Sequence, residues 1–169
     1  MSHPETLPTD AKIFVIGNDK AQLSGDVFNK KKLAVIFGTP GAFTPTCTQK
    51  HLPSFMHRAK EMKALGVDLI ACVTPNDKYV IEAWSEEMNV DPDLITLVSD
   101  GNLEFTTSLG LATDRTLSVM GHRFSRFSLI SVSGKIIFFR TEPPNCEFNE
   151  TSADVILAFL KSTRNEPLE

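Results

Sequence analysis

A single cysteine follows a run of turn-forming residues directly after an apolar segment. The run reads Thr39-Pro40-Gly41-Ala42-Phe43-Thr44-Pro45-Thr46-Cys47, and it connects a predicted strand to the start of a predicted helix. A free cysteine thiol has a pKa of roughly 8.5, but the unpaired N–H groups and the dipole at a helix N-terminus favour the thiolate. This placement predicts that Cys47 is a reactive nucleophile.

The neighbours of Cys47 fit this interpretation. Pro45 stands where the first helical turn tolerates a missing N–H, and Pro40-Gly41 favours a tight approach from the strand. The Thr44 hydroxyl can accept one hydrogen bond and donate another, which suits contact with a thiolate or a substrate oxygen. From spacing alone, two alternatives stay open: Thr44 could cap the helix, and Cys47 could be an inert, buried cysteine.

Apolar, β-rich segments alternate with amphipathic ones along the chain. Residues 32–38 are so uniformly apolar that we expect a central strand buried on both faces. A helix is predicted over residues 46–65, ending at Gly66, and Pro53 inside it should bend it. The other predicted strands span residues 12–16, 67–73, 94–99, 127–132 and 135–140, and the other predicted helices span residues 76–88, 105–109 and 153–161.

Two local patterns refine this outline. Asn76 or Asp77 should cap the helix that follows, and Ser133-Gly134 predicts a hairpin between the last two strands. The alternation of strands and helices predicts an α/β fold of the thioredoxin-like class, with a mixed central sheet and helices on both faces.

Length, charge and composition limit the classes of function. The 169 residues carry a formal net charge of -4, and 41% of them are hydrophobic, which is enough for one packed core. We expect a single domain over residues 1–169. Because Lys30-Lys31-Lys32 is the only basic run, there is no electrostatic footprint for nucleic acid or an anionic membrane. The longest uncharged stretch, residues 33–49, contains prolines and threonines and does not predict a membrane span.

The cysteines indicate a reducing compartment. Cys47, Cys72 and Cys146 are odd in number and far apart, unlike the paired framework of a secreted disulfide-rich domain. Residues 1–8 lack the basic and apolar regions of a signal peptide. We therefore expect a cytoplasmic protein, with an organellar protein that has lost a presequence as the alternative.

The motif around Cys47 resembles the active-site signature of the peroxiredoxins, specifically of the type II or peroxiredoxin 5 subfamily. In that signature a proline, a threonine four residues later and a cysteine three residues after that form one loop, as Pro40, Thr44 and Cys47 do here. The resemblance covers nearly the whole chain, through His51-Leu52-Pro53, Gly66-Val67-Asp68, Val73-Thr74-Pro75-Asn76-Asp77, Ala83-Trp84, Leu97-Val98-Ser99-Asp100, Arg126-Phe127-Ser128 and Glu142-Pro143.

The resemblance implies a role for each matching residue. Cys47 corresponds to the peroxidatic cysteine, Pro40 to the proline that shields it, and Thr44 to the threonine that hydrogen-bonds the peroxide. The backbone N–H groups of Thr46 and Cys47 are the expected partners of the peroxide oxygens. Arg126 corresponds to the arginine that holds the thiolate and the substrate.

The choice of Arg126 rests on the resemblance alone. A guanidinium is always charged and donates in a fixed fork, so it can stabilise a thiolate and the charge on a departing oxygen. By its spacing, however, Arg126 would be a surface cation beside a strand, and only the resemblance selects it over Arg123.

The implied activity is that of a thiol-dependent peroxidase in antioxidant defence. The Cys47 thiolate would attack hydrogen peroxide or an alkyl hydroperoxide, release water or an alcohol, and become a sulfenic acid. Thioredoxin or glutaredoxin with glutathione would regenerate the thiol. No metal or organic cofactor is implied: His51 and His57 lie near Cys47, but no paired Cys-x-x-Cys or His-x-x-His spacing supports zinc.

The thiol that resolves the sulfenic acid stays open. Cys146 lies near the position where animal-type members keep a resolving cysteine, although the surrounding sequence matches poorly. Cys72 matches a cysteine that plant type II members are thought to use, but a cysteine in a central strand is typical of buried packing. If neither resolves, glutathione or glutaredoxin attacks the sulfenic acid directly.

Two other functions and the assembly stay open as well. A redox relay or holdase would pass oxidation to a partner or bind unfolded clients. A cysteine hydrolase would pair Cys47 with His51, one helical turn away, but no third orienting group is evident. The resemblance also implies a homodimer formed near the active site, with Phe43 close to its edge.

Overall fold

A seven-stranded sheet forms the centre of the structure, a computed structural model that describes residues 3–142 and 148–164. The strands are β1 (Lys12–Val15), β2 (Gln22–Leu23), β3 (Leu33–Gly38), β4 (Leu69–Thr74), β5 (Thr96–Ser99), β6 (Ala112–Asp114), β7 (His122–Phe124), β8 (Phe127–Val132) and β9 (Lys135–Thr141). The α-helices are α1 (Leu52–Ala64), α2 (Lys78–Met88), α3 (Glu104–Ser108) and α4 (Ala153–Thr163). There are also two π-helical turns, Gly25–Asn29 and Cys47–His51, and a 3₁₀ turn, Thr116–Ser118.

The sheet is mixed, with its strands in the order β2-β1-β5-β4-β3-β8-β9. Strands β3, β4 and β5 are parallel, whereas β1 is antiparallel to β5, β8 to β3 and β9 to β8. Strands β6 and β7 form a separate two-stranded ribbon. Because the carboxyl ends of parallel strands share one edge, and that edge is where open α/β sheets form their sites, the segment after β3 is well placed for function.

Strand β3 is buried along its whole length, as its apolar sequence predicts. Leu33, Val35 and Phe37 face a core shared with α1, α2 and α4. Ala34 and Ile36 face the opposite core, to which α3 contributes. The predicted α/β fold of the thioredoxin-like class, a mixed sheet with helices on both faces, is therefore confirmed.

The predicted helices and strands are present with shifted ends. Asp77 is the N-cap of α2, where its carboxylate accepts from the N–H groups of Tyr79 and Val80. Ser133-Gly134 closes the β8–β9 hairpin as predicted. The strands β2, β6 and β7 were not predicted because two or three residues are too few to show an alternating pattern. Within the described ranges, none of the helices has the length and apolarity to cross a membrane.

The predicted helix over residues 46–65 divides into two parts. A π-helical turn, Cys47–His51, comes first, and Leu52 donates its N–H to the carbonyl of Cys47 five residues earlier. Regular α-helical geometry begins at Leu52, so Pro53 falls in the first turn of α1. A proline ring clashes with the carbonyl four residues before it, and the widened turn directly upstream gives it room. Pro53 therefore marks where the π-helical turn ends.

Candidate active site

Cys47 is the first residue of the π-helical turn, beyond the carboxyl end of β3, and it is fully buried at 0% exposure. The first intrahelical hydrogen bond runs from the Thr48 N–H to the Thr44 carbonyl. Pro45, which has no N–H, occupies the first helical position after Thr44, as predicted. The N–H groups of Thr46 and Cys47 lie in the same first turn, before the first intrahelical hydrogen bond. Cys47 therefore lies in the first turn of a helix, where the backbone N–H groups have no intrahelical acceptor.

Arg126 lies in the connection between β7 and β8 and contacts the cysteine directly. Its Nη2 donates to Cys47 Sγ at 3.2 Å. Arg123 has a different position: its Nη1 donates to the Pro40 carbonyl and its Nε to the Met120 carbonyl, each at 3.0 Å. The geometry thus distinguishes two arginines that sequence spacing cannot, and it brings Arg126 to the thiol.

His51 lies on the other side of the guanidinium. Its Nδ1 is 2.9 Å from Arg126 Nη1, and its Nε2 is 3.1 Å from the Thr151 carbonyl oxygen. Because a carbonyl oxygen can only accept and a guanidinium can only donate, Nε2 carries the hydrogen and Nδ1 accepts. Burial and the neighbouring Arg126 charge hold the pKa of His51 well below its usual value, and the Thr151 carbonyl only partly opposes them. His51 is a neutral imidazole in the folded protein.

Aromatic rings enclose His51. The ring centroids of Phe37, Phe55 and Phe148 lie 5.0, 5.6 and 4.9 Å from that of the imidazole. The rings of Phe37 and Phe55 stack on each other at 3.8 Å. This environment excludes water from His51, which is fully buried, and explains why desolvation dominates its pKa.

A carboxylate holds the segment that carries Thr151. Glu142 Oε1 accepts from the N–H and the hydroxyl of Thr151, both at 2.9 Å, and from the Asn149 N–H at 2.8 Å. The Glu142 N–H in turn donates to the Arg126 carbonyl at 3.3 Å. Hydrogen bonds therefore link Cys47, Arg126, His51, Thr151 and Glu142 in a chain that returns to the backbone of Arg126.

A cleft of about 150 Å³ opens beside this centre. Its lining includes Pro40, Thr44, Thr46 and Arg126. The Thr44 hydroxyl donates to the Gly41 carbonyl at 2.6 Å, so its lone pairs are left to accept from a molecule in the cleft. The cleft has room for a small polar substrate beside the guanidinium.

The loop before Cys47 is held from the sheet side. Asn76 Oδ1 accepts from the Ala42 N–H at 2.8 Å, and the Asn76 carbonyl accepts from the Ser99 hydroxyl at 2.7 Å. Trp84 Nε1 donates to the Thr48 hydroxyl at 3.1 Å, next to Cys47. Asn76, one of the two predicted helix caps, instead fixes the active-site loop.

Comparisons with known proteins identify the family of this chain. The family model described as Redoxin matches residues 6–157. Peroxiredoxin-2D of Arabidopsis thaliana is 35% identical over 157 residues, which are 92% of this chain and 96% of that protein. The chain belongs to the peroxiredoxins.

The names of further relatives fit the type II or peroxiredoxin 5 subfamily that the motif predicts. Chloroplastic peroxiredoxin-2E-2 of Oryza sativa subsp. japonica is 43% identical over 129 residues, covering 75% of this chain. This peroxiredoxin spans 57% of the length of that relative and 55% of the length of peroxiredoxin-2E of Arabidopsis thaliana.

Solved structures show the same fold. Reduced Prx3 of Vibrio vulnificus in complex with H₂O₂ superposes with a TM-score of 0.86 at 34% identity, covering 95% of this chain and 96% of that one. Peroxiredoxin 5 of Alvinella pompejana gives a TM-score of 0.81 at 25% identity, covering 96% and 99%.

The other two cysteines differ from Cys47. Cys72 is fully buried in β4, and burial, followed by the nearby Cys47, raises its pKa far above the usual value. This favours the interpretation of Cys72 as packing. Cys146 lies outside the residues that the structure describes, so its predicted role stays a prediction. Among the described residues, no cluster of three or more His, Cys, Asp or Glu side chains could hold a metal.

Sequence reasoning missed the partners of the arginine. His51 was interpreted as a helix histidine with a structural hydrogen bond, and the structure adds its contact with Arg126. The spacing of four residues from Cys47, which puts both on one helix face, was the available signal. Because Nδ1 faces the guanidinium, His51 is not placed to accept a proton from Cys47, which argues against the hydrolase alternative. Nothing in the sequence pointed to Glu142 as the anchor of Thr151.

Stability below pH 6.5 should report the burial of neutral His51. The unfolded chain protonates this residue near pH 6.5, whereas the folded protein does so well below that value. The unfolded state therefore binds more protons in between, and the free energy of unfolding falls as the pH falls, by up to about 1.4 kcal/mol per pH unit. Urea denaturation across this range should give a shallower pH dependence in His51→Gln than in the wild type.

The exposed His57, on the following helix α1, provides the control. His57→Gln should keep the wild-type pH dependence, because this substitution removes no buried imidazole. Equal slopes in the wild type and His51→Gln would contradict the prediction.

Proposed function

We propose that this chain is a thiol-dependent peroxidase that reduces hydrogen peroxide and alkyl hydroperoxides to water and alcohols, in antioxidant defence and redox homeostasis. The observation that carries the proposal is the hydrogen bond to the buried Cys47 sulfur from Arg126, which also lines a small cleft. A fixed cation on a thiol at a helix start favours the thiolate, which is the nucleophile that this chemistry needs. The relatives named as peroxiredoxins support the same activity.

In the proposed reaction the thiolate of Cys47 attacks the terminal oxygen of the hydroperoxide in line with the O–O bond. The S–O bond forms as the O–O bond breaks, and the departing oxygen takes up a proton and leaves as water or an alcohol. Cys47 is oxidised to a sulfenic acid, and the peroxide is reduced. No metal or organic cofactor enters this scheme.

Four neighbours have proposed roles around this step. Arg126 holds the thiolate and offers charge to the oxygens where negative charge develops. Thr44 accepts a hydrogen bond from the peroxide O–H, since its own hydrogen is directed to Gly41. The N–H groups of Thr46 and Cys47 donate to the peroxide oxygens, and Pro40 shields the cysteine from one side of the cleft.

Recycling the sulfenic acid requires a second thiol. We propose that thioredoxin, or glutaredoxin with glutathione, supplies the electrons, and that Cys146 is the resolving cysteine of the chain if one exists. The burial and raised pKa of Cys72 make it a poor nucleophile in the folded protein.

We also propose one domain over residues 1–169, a cytoplasmic location and assembly into a homodimer. The matched relatives include chloroplastic and mitochondrial proteins, so an organelle is the alternative location. A dimer edge at Phe43 is supported by its 51% exposure and by the nearly complete exposure of Leu117 and Val119 in the loop that contributes Met120 to the cleft.

Cys47→Ser should abolish peroxide consumption, because a hydroxyl is not ionised near neutral pH and cannot replace the thiolate. In a thiol titration the wild type should lose one thiol per equivalent of hydrogen peroxide where the sulfenic acid persists, and two where Cys146 forms a disulfide with Cys47. Equal consumption by wild type and Cys47→Ser would refute the proposed function.

Mass spectrometry of wild type, Cys72→Ser and Cys146→Ser after one equivalent of peroxide should then identify the resolving thiol. A Cys47–Cys146 disulfide that is absent in Cys146→Ser identifies Cys146, whereas a persistent sulfenic acid indicates one-cysteine chemistry.

Arg126→Gln should slow oxidation of Cys47 by about 100-fold, the usual effect of removing one donor that stabilises developing charge. Arg126→Lys should recover only part of the rate, since an ammonium lacks the planar fork. The chain has a single tryptophan, Trp84, which donates a hydrogen bond to Thr48, the residue after Cys47. Stopped-flow fluorescence can therefore follow the reaction. Arg140→Gln, a change in an exposed arginine on β9, is the matched control and should react at the wild-type rate. A wild-type rate in Arg126→Gln would show that its contact with sulfur is not functional.

Phe43→Glu should weaken the proposed dimer, because it places a charge in a surface that association would bury. Sedimentation should give a mass twice 18.7 kDa for the wild type and a shift toward the monomer for the variant. Tyr79→Glu, at another exposed aromatic residue, should leave the mass unchanged. A wild-type monomer at micromolar concentration would rule the dimer out.

A further inference from the structure

We propose that His51 is a positioning residue, an uncharged acceptor that holds the Arg126 guanidinium against Cys47 Sγ and leaves the full positive charge available to the sulfur. The inference rests on the proposed peroxidase function only for its kinetic readout. The geometry of three consecutive groups carries it: the Thr151 carbonyl, the imidazole and the guanidinium.

The guanidinium couples the histidine to the sulfur. Arg126 uses Nη1 for His51 at 2.9 Å and Nη2 for Cys47 at 3.2 Å. Because the guanidinium is planar and rigid, fixing one terminal nitrogen fixes the direction in which the other donates. His51 therefore determines where the donor to Cys47 Sγ lies.

The protein backbone fixes the tautomer of His51. The Thr151 carbonyl requires a hydrogen on Nε2, which leaves Nδ1 as the acceptor that Arg126 needs. Glu142 holds Thr151 through its N–H and its hydroxyl, so the carbonyl is itself positioned. Glu142 thus positions Thr151, the Thr151 carbonyl fixes the tautomer of His51, and His51 accepts from Arg126.

His51 accepts the hydrogen bond from Arg126 without carrying a negative charge. Arginine in proteins usually pairs with a carboxylate, and a carboxylate at the place of His51 would offset the guanidinium charge that the thiolate experiences at close range. A neutral imidazole provides the same hydrogen bond without an opposing charge. The site thus orients Arg126 and keeps its net charge directed at Cys47.

The surroundings of His51 keep it neutral. Cys47 precedes it on the π-helical turn, Arg126 approaches from the β7–β8 connection, and the other described neighbours in ring contact are three phenylalanines. Glu142 reaches it only through Thr151. Protonation would bury a second cation against Arg126, which the apolar enclosure strongly opposes.

Three substitutions of His51 separate the effect of the hydrogen-bond acceptor from the effects of its charge and of side-chain packing. His51→Gln keeps an uncharged acceptor and a donor, His51→Glu supplies a charged acceptor of similar size, and His51→Leu supplies none. The direct readout is the midpoint of the alkylation-versus-pH profile of Cys47 with iodoacetamide, measured on the Cys47 peptide by mass spectrometry. The second readout is the rate of Cys47 oxidation by hydrogen peroxide in a single turnover.

We expect His51→Gln to stay within about threefold of the wild-type oxidation rate, and His51→Leu and His51→Glu to lose about tenfold or more. Their alkylation midpoints should move up by about one pH unit, because the thiolate has lost part of its cationic partner. His57→Gln and His57→Glu, at the exposed histidine of α1, should change neither readout. If His51→Leu and His51→Glu are folded and keep both wild-type values, the proposal is overturned.

Two further comparisons keep the test decisive. If the buried substitutions prevent folding, Glu142→Gln weakens the support of Thr151 from a half-buried position and should move the midpoint in the same direction by a smaller amount; no movement would overturn the proposal. If the midpoints shift as expected but the wild type does not react with peroxide, the proposed function fails while the positioning role stands. If the wild type reacts and every variant matches it, only the positioning role fails.

Discussion

The contact between the Arg126 guanidinium and the buried Cys47 sulfur is the interaction on which the rest of the site depends. A thiolate removed from water loses several kcal/mol of solvation, and burial alone favours the neutral thiol. Cys72 illustrates this, since it is equally buried and its pKa is raised. Two buried cysteines of the same core thus have different environments, because Cys47 lies at a helix start against a guanidinium and Cys72 lies within a strand.

The sheet brings the two halves of this contact together. Strands β3 and β8 are antiparallel neighbours, and Gly38 at the end of β3 pairs with Phe127 at the start of β8. Cys47 follows the first of these ends and Arg126 directly precedes the second. A Cβ atom at position 38 would overlap the ring of Phe127, so the glycine lets that ring pack over the strand. Register in the core of the sheet thus positions two residues that are far apart in sequence.

Features of the fold and site that depend on local sequence patterns could be predicted, and those that depend on tertiary contacts could not. The strand β3, the helix start at Pro45 and the cap at Asp77 depend on local patterns, and the sequence is sufficient for them. The division of labour between Arg123 and Arg126 depends on which side of β8 faces the helix start, and spacing carries no such information. The family resemblance selected Arg126, and the geometry shows that this arginine, rather than Arg123, contacts the Cys47 sulfur.

The π-helical turn and the contacts of His51 were beyond sequence reasoning for a different reason. Pro53 signalled a disturbed helix, but a proline can kink a helix, end one or be taken up by a widened turn, and only packing decides which. Likewise the acceptor role of Nδ1 depends on a carbonyl from Thr151, one hundred residues further along the chain. Interactions of this separation are set by tertiary structure.

The contact between Arg126 and Cys47 also connects the proposed chemistry to the stability of the turn. A hydrogen bond from a guanidinium to a thiolate is charge-assisted, and it is stronger than one to a neutral sulfur. In the proposed reaction Cys47 changes from an anion to a neutral sulfenic acid, so the turn loses part of the attraction that holds it against Arg126. The rest of the turn is held by the hydrogen bond of His51 and by the phenylalanine rings around it, neither of which depends on the state of the sulfur. Under the proposed reaction, oxidation therefore weakens the attachment of the turn at Cys47 and leaves its attachment at His51 in place.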